Sequence, residues 1–178
     1  DACGRQHRGL AARGGVDVAH HEDLAVGTPT RADVFIENFR TGVMARLGFA
    51  YPQVSAYNPG VVYLSVTGFG QVGPMQSQPA TDAILQAFAG MMTINKGRQD
   101  ELPHRLECWP IDVFSGQLAF QAVAMALYAR RDSGRGRYID ASLLQGAAAL
   151  QTVRLIEHVM SGGAAAPGGS AGRRCIRP

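Results

Sequence analysis

Lysine is almost missing from this chain: Lys96 is the only one of the 17 basic residues that is not arginine. The formal charge is +3 and the basic residues are scattered, which excludes the clustered footprint of a nucleic-acid binder. Aromatic residues make up 7% and do not interleave with the arginines, so no base-stacking platform is present. The three cysteines, Cys3, Cys108 and Cys175, lie far apart without a CxxC pair. That excludes both a zinc knuckle and a disulfide framework, and it fits a reducing, cytoplasmic setting. No uninterrupted apolar run of 18 residues and no signal peptide is found, so the expectation is a chain that does not span a membrane. The glycines fit neither a dinucleotide fingerprint nor a phosphate loop.

The chain has 178 residues, of which 46% are hydrophobic and 17% charged, enough for one core and one domain. Its grammar divides in three. Residues 1–30 carry arginines and glycines without periodicity and read as a poorly structured leader. Within them His20, His21, Glu22 and Asp23 form a polar cluster whose residue types suit a metal, although adjacent loop histidines are ordinarily solvated; no metal is expected. Residues 31–160 hold the ordered core. Residues 161–178, dominated by Gly, Ala, Pro and Arg, read as a disordered tail.

Inside the core, short strand signals alternate with helical ones. Asp33 to Glu37, Val61 to Thr67 and Arg137 to Ala141 read as strands, the second apolar on both faces as in a parallel sheet. Val43 to Leu47 and Tyr51 to Tyr57 read as short helices. Thr81 caps a helix to Ala89, whose apolar stripe is expected to be Ala83, Ile84, Ala87 and Phe88. Residues 95–106 read as an exposed loop. Pro110 then opens a long helix to Arg130, apolar almost all round and therefore expected to be buried, with Gln117 and Gln121 as its polar exceptions. A further helix is expected from Leu143 to Met160. The pattern predicts an α/β fold of Rossmann-like type, a mostly parallel sheet flanked by helices.

Two features point to chemistry. Gly68–Phe69–Gly70–Gln71–Val72–Gly73–Pro74 follows a strand directly, where α/β sheets bind ligands. Asp112 falls at or near the start of the long helix, where a carboxylate is ordinarily an N-cap.

Five ordered blocks carry a resemblance: ADVFIENFRTGVMARLGF at 32–49, NPGVVYLSVTGFGQVGP at 58–74, PATDAILQAFAGMM at 79–92, PIDVFSGQLAFQAVAMALYAR at 110–130 and SGRGRYIDASLLQGA at 133–147. Residues 31 to about 150 resemble the family III CoA-transferases of the CaiB/BaiF type, which include formyl-CoA transferase and the α-methylacyl-CoA racemases. The resemblance implies a partial large domain of that family. It implies that Asp112 accepts the acyl group and that Asp82 lies close to the chemistry. It implies that Asn38, Phe39, Arg40 and Arg46 bind coenzyme A, with Gln78, Pro79, Ala80 and Thr81 near the thioester. The racemase branch carries a histidine where Thr81 stands here, and threonine cannot act as a proton-transfer base. Substrates would be an acyl-CoA and a carboxylic acid, with no metal, and relatives form interlocked dimers. Self-association is expected because apolar helices lack their usual partners.

Relatives are about twice as long, so the chain reads as a fragment, and its ends are compatible with out-of-frame translation of a GC-rich gene. Four readings stay open: CoA transfer, a non-catalytic remnant of that family, a racemase-type member, and an unrelated CoA- or nucleotide-binding module.

Overall fold

The computed structural model describes residues 31–93 and 102–163. The leader, the His20–Asp23 cluster, most of the 95–106 loop and residues 164–178 lie outside the described residues.

Three strands form one parallel sheet in the order β1 (Val34–Glu37), β2 (Val62–Thr67), β3 (Arg137–Ser142). Helices α1 (Val43–Arg46) and α2 (Tyr51–Tyr57) connect β1 to β2. Helices α3 (Asp82–Phe88) and α4 (Pro110–Ser133) connect β2 to β3. Helices α5 (Leu143–Leu150) and α6 (Thr152–Met160) follow. This is the α/β architecture that the alternating signals predict, and the strand bounds differ by a residue or two.

Register decides which side chains share a face. Phe35, Tyr63 and Tyr138 are paired across the three strands, and their rings pack in a row, Phe35 stacked on Tyr63 at 4.9 Å. Met44 of α1 and Val54 of α2 close over this row with Phe35, Val61 and Tyr63 as one buried cluster. Val62 and Leu64 alternate to the opposite face, are buried there, and meet α4, which runs along β2 and β3. A second cluster, Leu85, Met91, Ile111 and Ala147, joins α3, α4 and α5. At the far end Arg130 ties the sheet together, donating to the Gly60 carbonyl at 2.9 Å and pairing with Asp33 at 2.7 Å.

Three expectations fail here. The long helix is not buried all round: its inward stripe is Ile111, Ser115, Ala119 and Ala126, while Val113, Phe120, Met125 and Tyr128 are exposed. Small residues let the helix approach the sheet and α5, and no element among the described residues covers its outer face. By length and mean hydropathy α4 would also suffice to cross a membrane, although Gln117 and Gln121 interrupt its apolar residues; here it packs on β2, β3 and α5. Second, α3 turns the other way: Ile84 and Phe88 are exposed, and Asp82, Leu85 and Gln86 are the buried residues. Third, the helix expected from Leu143 to Met160 breaks at Gln151, whose amide donates to the Ala89 carbonyl at 2.9 Å. Beyond the break, α6 has no buried residue.

Close backbone approaches set the site. A Cβ on Gly68 would overlap the Cβ of Ala80, so only glycine lets the chain entering α3 return to the end of β2. Gly116 on α4 faces open space. Gly68→Ala is therefore expected to lower stability by about 2 kcal/mol, and Gly116→Ala to raise it by roughly 0.5–1 kcal/mol. Urea denaturation of the two variants checks this; a Gly68→Ala chain as stable as the parent would refute the packing.

Candidate active site

All three strands point the same way, so their C-terminal ends share one edge of the sheet. Four segments arrive there: Asn38–Arg40 after β1, the glycine-rich connection after β2, the start of α5 after β3, and the N-terminus of α4.

The N-terminus of α4 is capped in an unusual way. Its N-cap residue is Trp109, in the left-handed conformation at φ 45° and ψ 55°, and it makes no side-chain cap. Trp109 is the one non-glycine residue with positive φ among the described residues, and a bulky side chain there is strained. The first-turn N–H groups need acceptors from elsewhere. Asp82 supplies one: its Oδ2 accepts from the backbone N–H of Ile111 at 2.8 Å and of Asp112 at 2.9 Å. Its Oδ1 accepts from the Gln86 amide. Asp82 is 2% exposed. Its own helix is started by Thr81, whose Oγ1 accepts from Ile84 N at 3.4 Å, as the sequence predicts.

Gln86 completes the clamp. Its Nε2 donates to the Leu106 carbonyl at 3.0 Å and its Oε1 accepts from Leu106 N at 2.7 Å. One side chain thus holds the backbone leading into α4 and orients the carboxylate that caps α4. Sequence reasoning missed Gln86. The available signal was its place one turn after Asp82, which puts the two on one helix face.

Asp112 is the third residue of α4 and is exposed. Asp112 does not play the capping part that a first-turn carboxylate ordinarily takes: Asp82 is the cap, and Asp112 makes no side-chain hydrogen bond among the described residues. Its carboxyl is held above the usual carboxylate range, first by partial burial and then by the negative charge of Asp82. A helix N-terminus would ordinarily push a carboxylate down. Here the donors that would do so are committed to Asp82. The result is an accessible, more basic carboxylate with its lone pairs free.

The other predicted residues divide. Gln78, Pro79, Ala80 and Thr81 lead into Asp82 on the returning arm of the connection, and Ala80 packs on the α3–α4–α5 cluster. Asn38, Phe39 and Arg40 are exposed at the end of β1, where Phe39 N donates to Glu37 Oε2 at 2.8 Å. Arg46 ends α1. Arg40 and Arg46 are exposed and form no ion pair among the described residues, so both cations stand open to anions. The structure brings Asp82 and Asp112 into one hydrogen-bonded unit; Arg40 lies in the loop before α1 and Arg46 at the end of that helix.

The model of CoA-transferase family III matches residues 21–176. The chain belongs to CoA-transferase family III. The match is wider than the five blocks that carry the resemblance. Among curated relatives, the chain is 41% identical over 131 residues to the acetyl-CoA:oxalate CoA-transferase of Acetobacter aceti, covering 73% of this chain and 32% of that protein. It is 35% identical over 131 residues to the succinate–glutarate CoA-transferase of Agrobacterium fabrum, covering 74% and 32%. A crystal structure of a CAIB/BAIF family protein from Brucella suis superposes with a TM-score of 0.73 at 31% identity, over 79% of this chain and 36% of that one. The chain spans about a third of the length of these relatives.

Proposed function

We propose that this chain carries the acyl-accepting half of a CoA-transfer site, with Asp112 as nucleophile. The observation that supports it is the division of labour between two aspartates: Asp82 takes the helix donors and leaves Asp112 exposed with a raised carboxyl pKa. An Asp112 oxygen attacks the thioester carbonyl, and the C–S bond breaks to give a mixed anhydride and CoA thiolate. The thiolate then attacks the aspartyl carbonyl and releases the first acid, storing CoA on the enzyme as an aspartyl thioester. An incoming carboxylate attacks that thioester and displaces the thiolate again. Attack of the thiolate on the new acyl carbonyl forms the product thioester and restores the Asp112 carboxylate.

Arg40 and Arg46 would pair with the phosphates of CoA, Asn38 and Phe39 with its remaining groups. The oxalate, succinate and glutarate in the relatives' names favour a small dicarboxylic acid as acceptor. Thr81, which cannot relay a proton, favours transfer over racemisation. The proposed setting is the cytoplasm. Titration of CoA into the chain by calorimetry, followed by an assay of CoA transfer from acetyl-CoA to oxalate and from succinyl-CoA to glutarate, tests this reading. Binding with transfer supports it; binding without transfer makes the chain a non-catalytic remnant; no binding sinks the site.

Self-association belongs to the same proposal. Phe120, Met125 and Tyr128 on α4, and Val153, Leu155, Ile156, Val159 and Met160 on α6, are exposed. Such surface ordinarily marks an interface. Sedimentation should show species larger than a monomer, and a monodisperse monomer would count against it.

A further inference from the structure

On the sheet itself, one polar cluster has no part in the proposed reaction. Glu37, Ser65 and Asp140 are paired across β1, β2 and β3, so they form a row on one face near its C-terminal end. A three-strand row of polar side chains under a loop is costly unless each finds partners. The partners come from the start of the glycine-rich connection. Gln71 N donates to Asp140 Oδ2 at 2.9 Å, and Gln71 Nε2 donates to Ser65 Oγ at 2.7 Å. Gly70 N donates to Thr67 Oγ1 at 2.9 Å. Gly70 adopts φ 91°, which turns the chain down onto Asp140 and which a side chain would resist.

The connection is therefore held at two points. Its neck is closed where Gly68 meets Ala80, and its outgoing arm is fastened by Gln71 to two strands. Between them Val72, Gly73 and Pro74 form an exposed tip.

We infer that Asp140, acting through Gln71, is a positioning residue that latches the β2–α3 connection onto the edge of the sheet beside Asp82 and Asp112. Its consequence for catalysis rests on the transferase reading; the latch itself does not. The carboxylate is anchored in β3, so it seats the loop on a rigid element. Its second oxygen, Oδ1, is buried with no partner among the described residues, so the Gln71 N–H is its one hydrogen bond.

Hydrogen exchange read by mass spectrometry tests the latch without turnover, so its failure and that of the transferase reading give different results. In Asp140→Ala, a peptide spanning 69–76 should exchange roughly tenfold faster, with peptides from α4 and β2 within about twofold of the parent. Asp140→Asn keeps an acceptor for Gln71 N and should restore slow exchange. Unchanged exchange in Asp140→Ala, or fast exchange in Asp140→Asn, would overturn the inference. Should Asp140→Ala fail to fold, Asp140→Val carries the test, because a β-branched residue suits the strand and still removes the acceptor of Gln71 N. Faster loop exchange at an unchanged melting temperature supports the latch, and unchanged exchange refutes it.

Discussion

Asp112→Asn is expected to abolish CoA transfer, by at least about 10⁴-fold, and to leave the fold intact. Asparagine keeps the size and shape of the side chain but cannot form an anhydride or return to a carboxylate. The structure sharpens this test, because Asp112 caps nothing: the first-turn donors of α4 belong to Asp82. A loss of activity therefore has no structural excuse. Stability should move slightly the other way. The folded carboxyl is held above its ordinary value, so the charged form is disfavoured by folding. The parent loses stability relative to the variant as pH rises from the unfolded value through the folded one. Below pH 3.8, the ordinary value, the two should melt together; at neutral pH the variant should melt about 1–3 °C higher, a small effect because the side chain is exposed. Transfer at parental rates in the variant would remove Asp112 from the mechanism.

Asp82→Ala is expected to cost about 3 kcal/mol and to lower the melting temperature by roughly 10 °C. The variant leaves the N–H groups of Ile111 and Asp112 and the Gln86 amide without their acceptor in a buried place. Asp82→Asn is the more informative change. Its amide oxygen still accepts from α4, but its NH₂ then faces the NH₂ of Gln86. Gln86 cannot turn round without breaking both bonds to Leu106. About half the loss should remain, roughly 1–2 kcal/mol. Removing the charge of Asp82 should also lower the carboxyl pKa of Asp112, which shifts the acidic limb of the pH–rate profile downward. If Asp82→Ala melts with the parent, the cap across helices carries no weight and the account of Asp112 loses its cause.

How much of this could be read in advance depends on the range of the interaction. Strands β1 and β2 and helix α2 follow from local patterns, the last bounded by the Asn58–Pro59–Gly60 turn. Thr81 was legible as a cap because capping is local. The true cap of α4 was hidden for the same reason: a carboxylate in a first turn looks like a cap until another chain segment supplies one, and Asp82 lies 30 positions away from Asp112. The face of α3 was misread because apolar residues were assumed to point inward, whereas Asp82 and Gln86 do so to serve α4. The outer face of α4 was misread because periodicity reports what a helix prefers to bury, and not what is present to bury it. The break at Gln151 has neither glycine nor proline to announce it; a bond to Ala89 on another element marks it. Gln71 and Asp140 lie 69 positions apart and meet only through the parallel pairing of β2 with β3.

The central claim is that Asp112 is the residue that accepts the acyl group. Incubation of the chain with acetyl-CoA or succinyl-CoA, quenching with hydroxylamine and peptide mass spectrometry tests it most directly. The account predicts a hydroxamate on residue 112, absent in Asp112→Asn and absent without the thioester. An unmodified residue 112, or an adduct carried by another carboxylate, contradicts it.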